Sequence, residues 1–226
     1  MAWMLLAEFL GGYLGLCGIQ QAAVKEGAGN MEAQFYDMPL DEGIKARITG
    51  ISYPDTEEAV QVSYDDLAYV HVLHYDFNGE VQEGEIICNQ AISKDLVEIF
   101  EELYHQKYPI EKIRLVDEYH GDDEASMADN NSSCFNYRVI AGTNRISNHA
   151  YGKAIDINPL YNPYITYRNG VECVAPANAS AYADRGKMFE HKIDESDLCY
   201  KLFTEHGFSW GGSWSRSKDY QHFEKE

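Results

Sequence analysis

The clearest periodic signal is a pair of strand-like runs, AYVHVLHYDF (68–77) and EVQEGEIIC (80–88), separated by Asn78-Gly79. Asn and Gly both tolerate positive φ, so the pattern predicts a β-hairpin with a two-residue turn. From Ala91 to His105 the period changes. Ile92, Leu96, Ile99, Phe100 and Leu103 recur at helical spacing, and Pro109 lies beyond the end. A second helix is expected over Asp194–Phe208, with Asp194 or Ser196 as cap, Leu198, Leu202 and Phe203 as buried stripe, and Gly207 at the stop. KIRLV (112–116) and AIDIN (154–158) predict strands. Residues 20–40 read as a linker, 41–66 as short strands and turns, and 120–133 as a solvated polar loop without the spacing of a calcium loop. Several strands, two clear helices and no β-α-β alternation indicate an α+β fold.

The N-terminus stands apart. Trp3 to Ile19 is mostly apolar but is interrupted by Glu8, Gly11 and Gly12. It is short for a membrane span and has the length of a signal-peptide core, without a basic flank or a clean cleavage site. An export or anchor segment and a packed helix both fit. The expected organisation is an N-terminal segment with linker over 1–34 and one domain over 35–226.

The formal net charge of -19 repels phosphate backbones and anionic lipid, so nucleic acid is excluded as a partner. Membrane contact is expected only through the N-terminal segment. An anionic substrate would need a local basic group. The five cysteines (17, 88, 134, 173 and 199) form no C-x-x-C pair, so no cysteine zinc site is expected. They read as free thiols, with a Cys173–Cys199 pair as the alternative in an oxidising compartment.

Chemistry concentrates in two segments. In Ser147-Asn-His149-Ala-Tyr-Gly152-Lys-Ala-Ile-Asp156, the isoleucines at 155 and 157 alternate with Asp156. That alternation fixes the carboxylate on a strand, facing away from the buried side. Gly152 allows a tight turn between His149 and this strand. The second segment is Trp210-Gly-Gly-Ser-Trp214 followed by Asp219-Tyr-Gln-His222-Phe-Glu224. Two imidazoles and a carboxylate are ordinary zinc donors, and three protein ligands leave a position for water, as catalytic sites do. The other histidines read as packed or surface residues. His71 and His74 fall on opposite faces of the hairpin, and no H-E-x-x-H helix occurs.

S-N-H-A-Y-G-K-A-I-D-I resembles the S-x-H-x-x-G-x-A-x-D-[IL] signature of the D-alanyl-D-alanine carboxypeptidase and L-alanyl-D-glutamate endopeptidase family of zinc peptidases. W-G-G-S-W with D-Y-Q-H-F-E resembles that family's second signature, W-G-G-x-W…[DE]-x-x-H-F-E. The resemblance covers about residues 85–226. It implies zinc on His149, Asp156 and His222, Asp219 as general base, and Arg138 at the scissile carbonyl. Ser147 would orient substrate, and Trp210 and Trp214 would wall the cleft. It implies a small antiparallel sheet carrying the metal with flanking helices, the Hedgehog/DD-peptidase-like fold. The implied substrate is a peptidoglycan stem peptide, and the implied place of action is outside the bacterial cell or at its envelope. Asp at 219, where many carboxypeptidase members have Glu, tilts the resemblance toward endopeptidases.

Two alternatives accompany this reading. One is a zinc-containing, non-catalytic module that binds cell-wall peptides, against which the retained Asp219 argues. The other is a structural zinc domain, which would want a fourth ligand, with Glu224 the nearby candidate.

Overall fold

The computed structural model describes residues 34–56, 60–140 and 144–226. The apolar N-terminal segment lies outside the described residues. The unit considered is Phe35–Glu226.

Its first layer is a three-stranded antiparallel sheet of β1 (Tyr36–Pro39), β2 (Leu67–Tyr75) and β3 (Val81–Asn89), in that order. β1 falls inside the stretch that reads as a linker. Its single proline is at the strand end, where one missing N–H is harmless. The β2–β3 hairpin forms, but not with a two-residue turn. Tyr75 pairs with Val81, leaving a five-residue loop in which Asp76 Oδ1 accepts from the N–H groups of Asn78 and Glu80. The aspartate closes the loop by itself, so only Gly79 needs positive φ.

Both faces of this sheet are covered. Val70, Val72, Ile86 and Cys88 pack with Ile92, Leu96, Ile99, Phe100 and Leu103 of the long helix, Gln90–His105. Leu67, Tyr69 and Ile87 pack on the other side with Ile44 and Ile48 of a seven-residue helix, Glu42–Ile48, and with Leu115 and Phe135. In chain order we call these helices α1 (Glu42–Ile48) and α2 (Gln90–His105). α1 lies where the sequence suggested strands and turns. One apolar i,i+4 pair is too little pattern to read, and Asp41 is the cap that starts it.

The predicted 112–116 strand shrinks to β4 (Lys112–Ile113), which pairs in parallel with β5 (Asn131–Ser132). Leu115 turns into the second core instead. Within the predicted solvated loop, Asp122 caps a short helix α3 (Asp123–Ala128), whose Ser126 is buried. The last helix, α4 (Leu198–Glu205), starts later than expected. Asp197 Oδ1 takes the Cys199 N–H as its cap, while Asp194 is occupied by Ser196 in the preceding turn. Gly207 stands just past its end at φ 84°.

The remaining strands build the site. β6 (Ala154–Asp156), β9 (Ser209–Trp210) and β11 (His222–Glu224) form a small antiparallel sheet in the order β6-β11-β9. Ile155, Ile157, Phe223 and Phe203 enter the same core as α2, so the site sheet and the hairpin layer share one apolar interior. β7 (Tyr164–Arg168), β8 (Val171–Ala175) and β10 (Lys218–Asp219) form a second small sheet, ordered β10-β7-β8. The protein is thus α+β, with small antiparallel sheets and few helices. Cys88, Cys134 and Cys199 are buried free thiols and Cys173 is a half-buried one, so the Cys173–Cys199 pairing is not formed.

Gly152 joins the two layers. It has φ 65°, its carbonyl accepts from the Asn89 N–H, and a Cβ there would lie 2.5 Å from that nitrogen. Gly79 has a similar φ but nothing within 4 Å of its absent Cβ. Gly152→Ala is therefore expected to destabilise the protein by more than the ~1 kcal/mol that left-handed strain alone brings to Gly79→Ala. Chemical denaturation of the two variants measures the difference.

Candidate metal centre

Sheet geometry sets up the site. His222 lies directly across from Asp156 in the β6–β11 ladder, so their side chains project from the same face while Ile155 and Phe223 point into the core. His149 arrives from a 3-10 turn, Asn148–Tyr151, that ends at Gly152. Ser147 begins this turn, its Oγ accepting from the His149 N–H at 3.3 Å.

The three side chains meet. His222 Nδ1 is 3.0 Å from Asp156 Oδ1, His149 Nε2 is 3.3 Å from Asp156 Oδ2, and the two ring nitrogens are 3.2 Å apart. Two donors each about 2.1 Å from a tetrahedral zinc ion stand about 3.4 Å apart, so this triangle has the size such an ion needs. All three groups are buried. Among the described residues this is the one cluster of three such donors close enough to hold a metal ion.

The neighbours orient the rings. His149 Nδ1 donates to the Cys134 carbonyl oxygen at 2.6 Å, which leaves Nε2 with a lone pair toward the triangle. His222 Nε2 is 3.2 Å from Glu224 Oε2, leaving its Nδ1 free to ligate. Strand alternation explains this pair, since residues 222 and 224 share a face. Asn148 Nδ2 donates to the same Glu224 oxygen at 2.5 Å. Glu224 therefore serves the far nitrogen of a ligand and lies outside the donor triangle, which removes the basis for a fourth protein ligand.

Proton affinities reflect the crowding. Burial opposes charge on His222, but hydrogen bonds to Asp156 and Glu224 push its imidazole up to about 10. Burial also opposes ionisation of Asp156, yet both histidines hold its carboxyl well below the usual carboxylate range. In the metal-free protein Asp156 and Glu224 thus help His222 retain a proton that a metal ion must displace.

Asp219, at the end of β10, is half-buried, but its Oδ1 is fully buried and has no hydrogen-bond partner. Burial pushes its carboxyl up to about 7, the His222 charge opposing and the Asp156 charge adding to the rise. The glycines of W-G-G-S-W make room here. A Cβ at Gly211 would lie 2.8 Å from Asp219 Cβ and 3.3 Å from His222 Cβ, and one at Gly212 would strike the Trp210 indole at 2.3 Å. Only a residue without a side chain lets Asp219 and His222 pack together at this point.

These groups open onto a cleft of about 920 Å³, with His149, Asp156, His222, Asp219 and Arg138 in its wall. Arg138 Nη2 pairs with Asp123 Oδ2 at 2.8 Å. The acidic segment expected to be solvated therefore carries an anchor for the arginine. Ser147 and Trp214 also line the cleft, with the Trp214 ring 5.3 Å from that of His222. Trp210 does not line it. Its ring packs against Tyr200 in the core and its Nε1–H donates to the Tyr220 carbonyl oxygen. An indole with one polar atom is fully satisfied by that inward setting. His71 stacks on Tyr36 and His74 bonds the Ile110 carbonyl, each away from the cleft.

Sequence reasoning missed Asp123, Asn148 and the Cys134 carbonyl. Asn148 adjoins a ligand, but nothing marked its side chain as special. A backbone oxygen leaves no signature, and Asp123 sat among other acidic residues that do face water.

A buried two-histidine, one-aspartate triangle beside a carboxylate with one unpartnered oxygen, opening on a cleft, has the donor set and the acid–base group that metal-assisted hydrolysis requires. Residues 141–225, the part of the chain that bears the site, match the model of a peptidase family described as D-alanyl-D-alanine carboxypeptidase. The matched segment holds all three candidate ligands and Asp219 and begins just after Arg138. No curated protein and no solved structure matches the chain.

Two outcomes are expected for metal binding. Affinity for Zn²⁺ should fall as pH falls, with protons released on binding, because His222 must give up the proton that Asp156 and Glu224 help it keep. Calorimetry in buffers of different ionisation enthalpy reads both effects. Glu224→Gln should weaken Zn²⁺ by about 10–100-fold in a chelator competition, since it removes the charge behind a ligand and not the ligand.

Proposed function

We propose that the protein is a zinc-dependent peptidase that cleaves a peptide bond in peptidoglycan stem peptides, at the bacterial cell envelope or outside the cell. The observation that carries this reading is Asp219, a carboxylate with a buried, unpartnered oxygen beside a candidate three-donor metal site. A module that only binds peptides, or a structural metal site, has no use for such a group, whose burial is costly.

Zinc held by His149, Asp156 and His222 would supply a Lewis acid that polarises a carbonyl and acidifies water. Glu224, Asn148 and the Cys134 carbonyl keep the two rings turned to that task. Asp219 takes the proton of the attacking water and returns it to the departing amine. Its raised proton affinity suits the second half of that exchange. The Arg138 guanidinium, steadied by Asp123, faces the carbonyl oxygen as negative charge develops there. Trp214 shields one wall, and the cleft is large enough for several residues of extended peptide. D-alanyl-D-alanine carboxypeptidase action and cleavage after the first L-alanine are the two outcomes the family resemblance offers, and Asp219 favours the second.

The test is incubation of stem peptides with zinc-loaded and chelated protein, with products read by mass spectrometry. Chelator-sensitive loss of a terminal alanine marks a carboxypeptidase, and a cut after L-alanine marks an endopeptidase. Binding without any cleavage would overturn the proposal. Asp219→Asn is expected to lower kcat by about 10²–10⁴-fold with zinc content unchanged. In the wild type, turnover should fall on the acid side as Asp219 takes up a proton. That limb should vanish from the residual activity of Asp219→Asn.

A further inference from the structure

We propose that Arg168 forms a subsite for a substrate carboxylate two or more residues from the scissile bond, so that the enzyme selects acidic peptides. The inference rests on the peptidase reading and adds to it a specificity residue that neither signature contains.

The argument begins with β7. Tyr164, Thr166 and Arg168 line the cleft, whereas Ile165 is buried in the interior and Tyr167 is exposed elsewhere. That is the period-2 face of one strand, so the cleft runs along β7. The register ties this stripe to the chemistry, because Tyr164 pairs with Asp219. Four residues of strand at about 3.3 Å each carry the Arg168 backbone about 13 Å beyond the base's cross-strand partner. A peptide residue spans at most about 3.6 Å, so even with its side chain folded back Arg168 lies beyond the residues that flank the bond. It is too distant to polarise the scissile carbonyl, a position served by Arg138.

Charge supplies the ligand class. Arg47, Arg114 and Arg138 are each paired with a carboxylate, and Arg185 donates to backbone carbonyls and Asn162. The Arg168 side chain is exposed and holds no ion pair among the described residues. An uncompensated guanidinium is notable in a chain of net charge -19. Glu124 and Glu226 line other parts of the same cleft and would repel an anionic peptide there. Arg168 thus offers a carboxylate in the β7 end of the cleft a planar fork of N–H donors that can grip it bidentately.

The experiment compares peptides that differ only in whether one remote acidic group is a free carboxylate or an amide. Each is offered to zinc-loaded wild type, Arg168→Gln, Arg168→Glu and Arg145→Gln, the last because Arg145 also borders the cleft. Steady-state cleavage and equilibrium binding are both read. The wild type should prefer the carboxylate form by about tenfold, carried in KM and Kd and not in kcat. Arg168→Gln should remove the preference, and Arg168→Glu should reverse it. A preference unchanged in Arg168→Gln, lost only in Arg145→Gln, or absent from the wild type would overturn the subsite. Absence of cleavage of every peptide would instead overturn the peptidase reading, and the binding data would still decide the role of Arg168.

Discussion

The site depends on one carboxylate shared between two imidazoles. Asp156 sits on β6, buried, with a histidine nitrogen about 3 Å from each of its oxygens. An isolated buried charge would be prohibitive, so the arrangement persists only because the backbone holds all three groups where each compensates another. The β6–β11 ladder fixes His222 against Asp156. The isoleucine and phenylalanine between them lock that ladder into the main core, and the Ser147–Gly152 turn delivers His149. The α2 layer is the rigid support against which this delivery is made.

Beyond the donors, the cleft is organised by pairs of opposite charge that do separate jobs. Glu224 serves a ligand, and Asp123 serves Arg138. Asp219, by contrast, is a carboxylate with no partner for one buried oxygen. A carboxylate oxygen that is buried, close to a candidate metal site and without a hydrogen bond is costly for stability, and such costs are usually found where chemistry needs them. The crowding around Gly211 shows how tightly that carboxylate is set beside His222.

Much of this was legible in the chain, and the reasons are physical. Strand alternation around Asp156 and across His222-Phe-Glu224 is short-range, so the facing of those side chains follows from the sequence. The α2 stripe and the hairpin were visible for the same reason. What escaped were features decided by tertiary partners. α1 and α3 are too short to show a period and exist because an aspartate caps each one. The hairpin loop lengthened because Asp76 could satisfy its N–H groups. Trp210 belongs to a motif near the candidate metal site, yet turns inward because Tyr200 and the Tyr220 carbonyl offer it a complete environment. The N-terminal segment that read as export signal, anchor or helix lies outside the described residues.

The way His149 is held has a further meaning for how this protein tolerates change. Its ring is fixed by the Cys134 carbonyl, and the turn that carries it is pinned by the Asn89 N–H. Both are main-chain groups, present whatever side chain stands at positions 134 or 89. Cys134 can be exchanged for another small apolar residue while the imidazole keeps its tautomer. Side chains add to this support, Asn89 Nδ2 donating to the Tyr151 carbonyl oxygen and Ser147 Oγ accepting from the His149 N–H, while Gly152 contributes a backbone shape. The orientation of the His149 ring thus leans on main-chain groups that survive substitution at position 134, and a glycine that performs no chemistry is a point of vulnerability in its support.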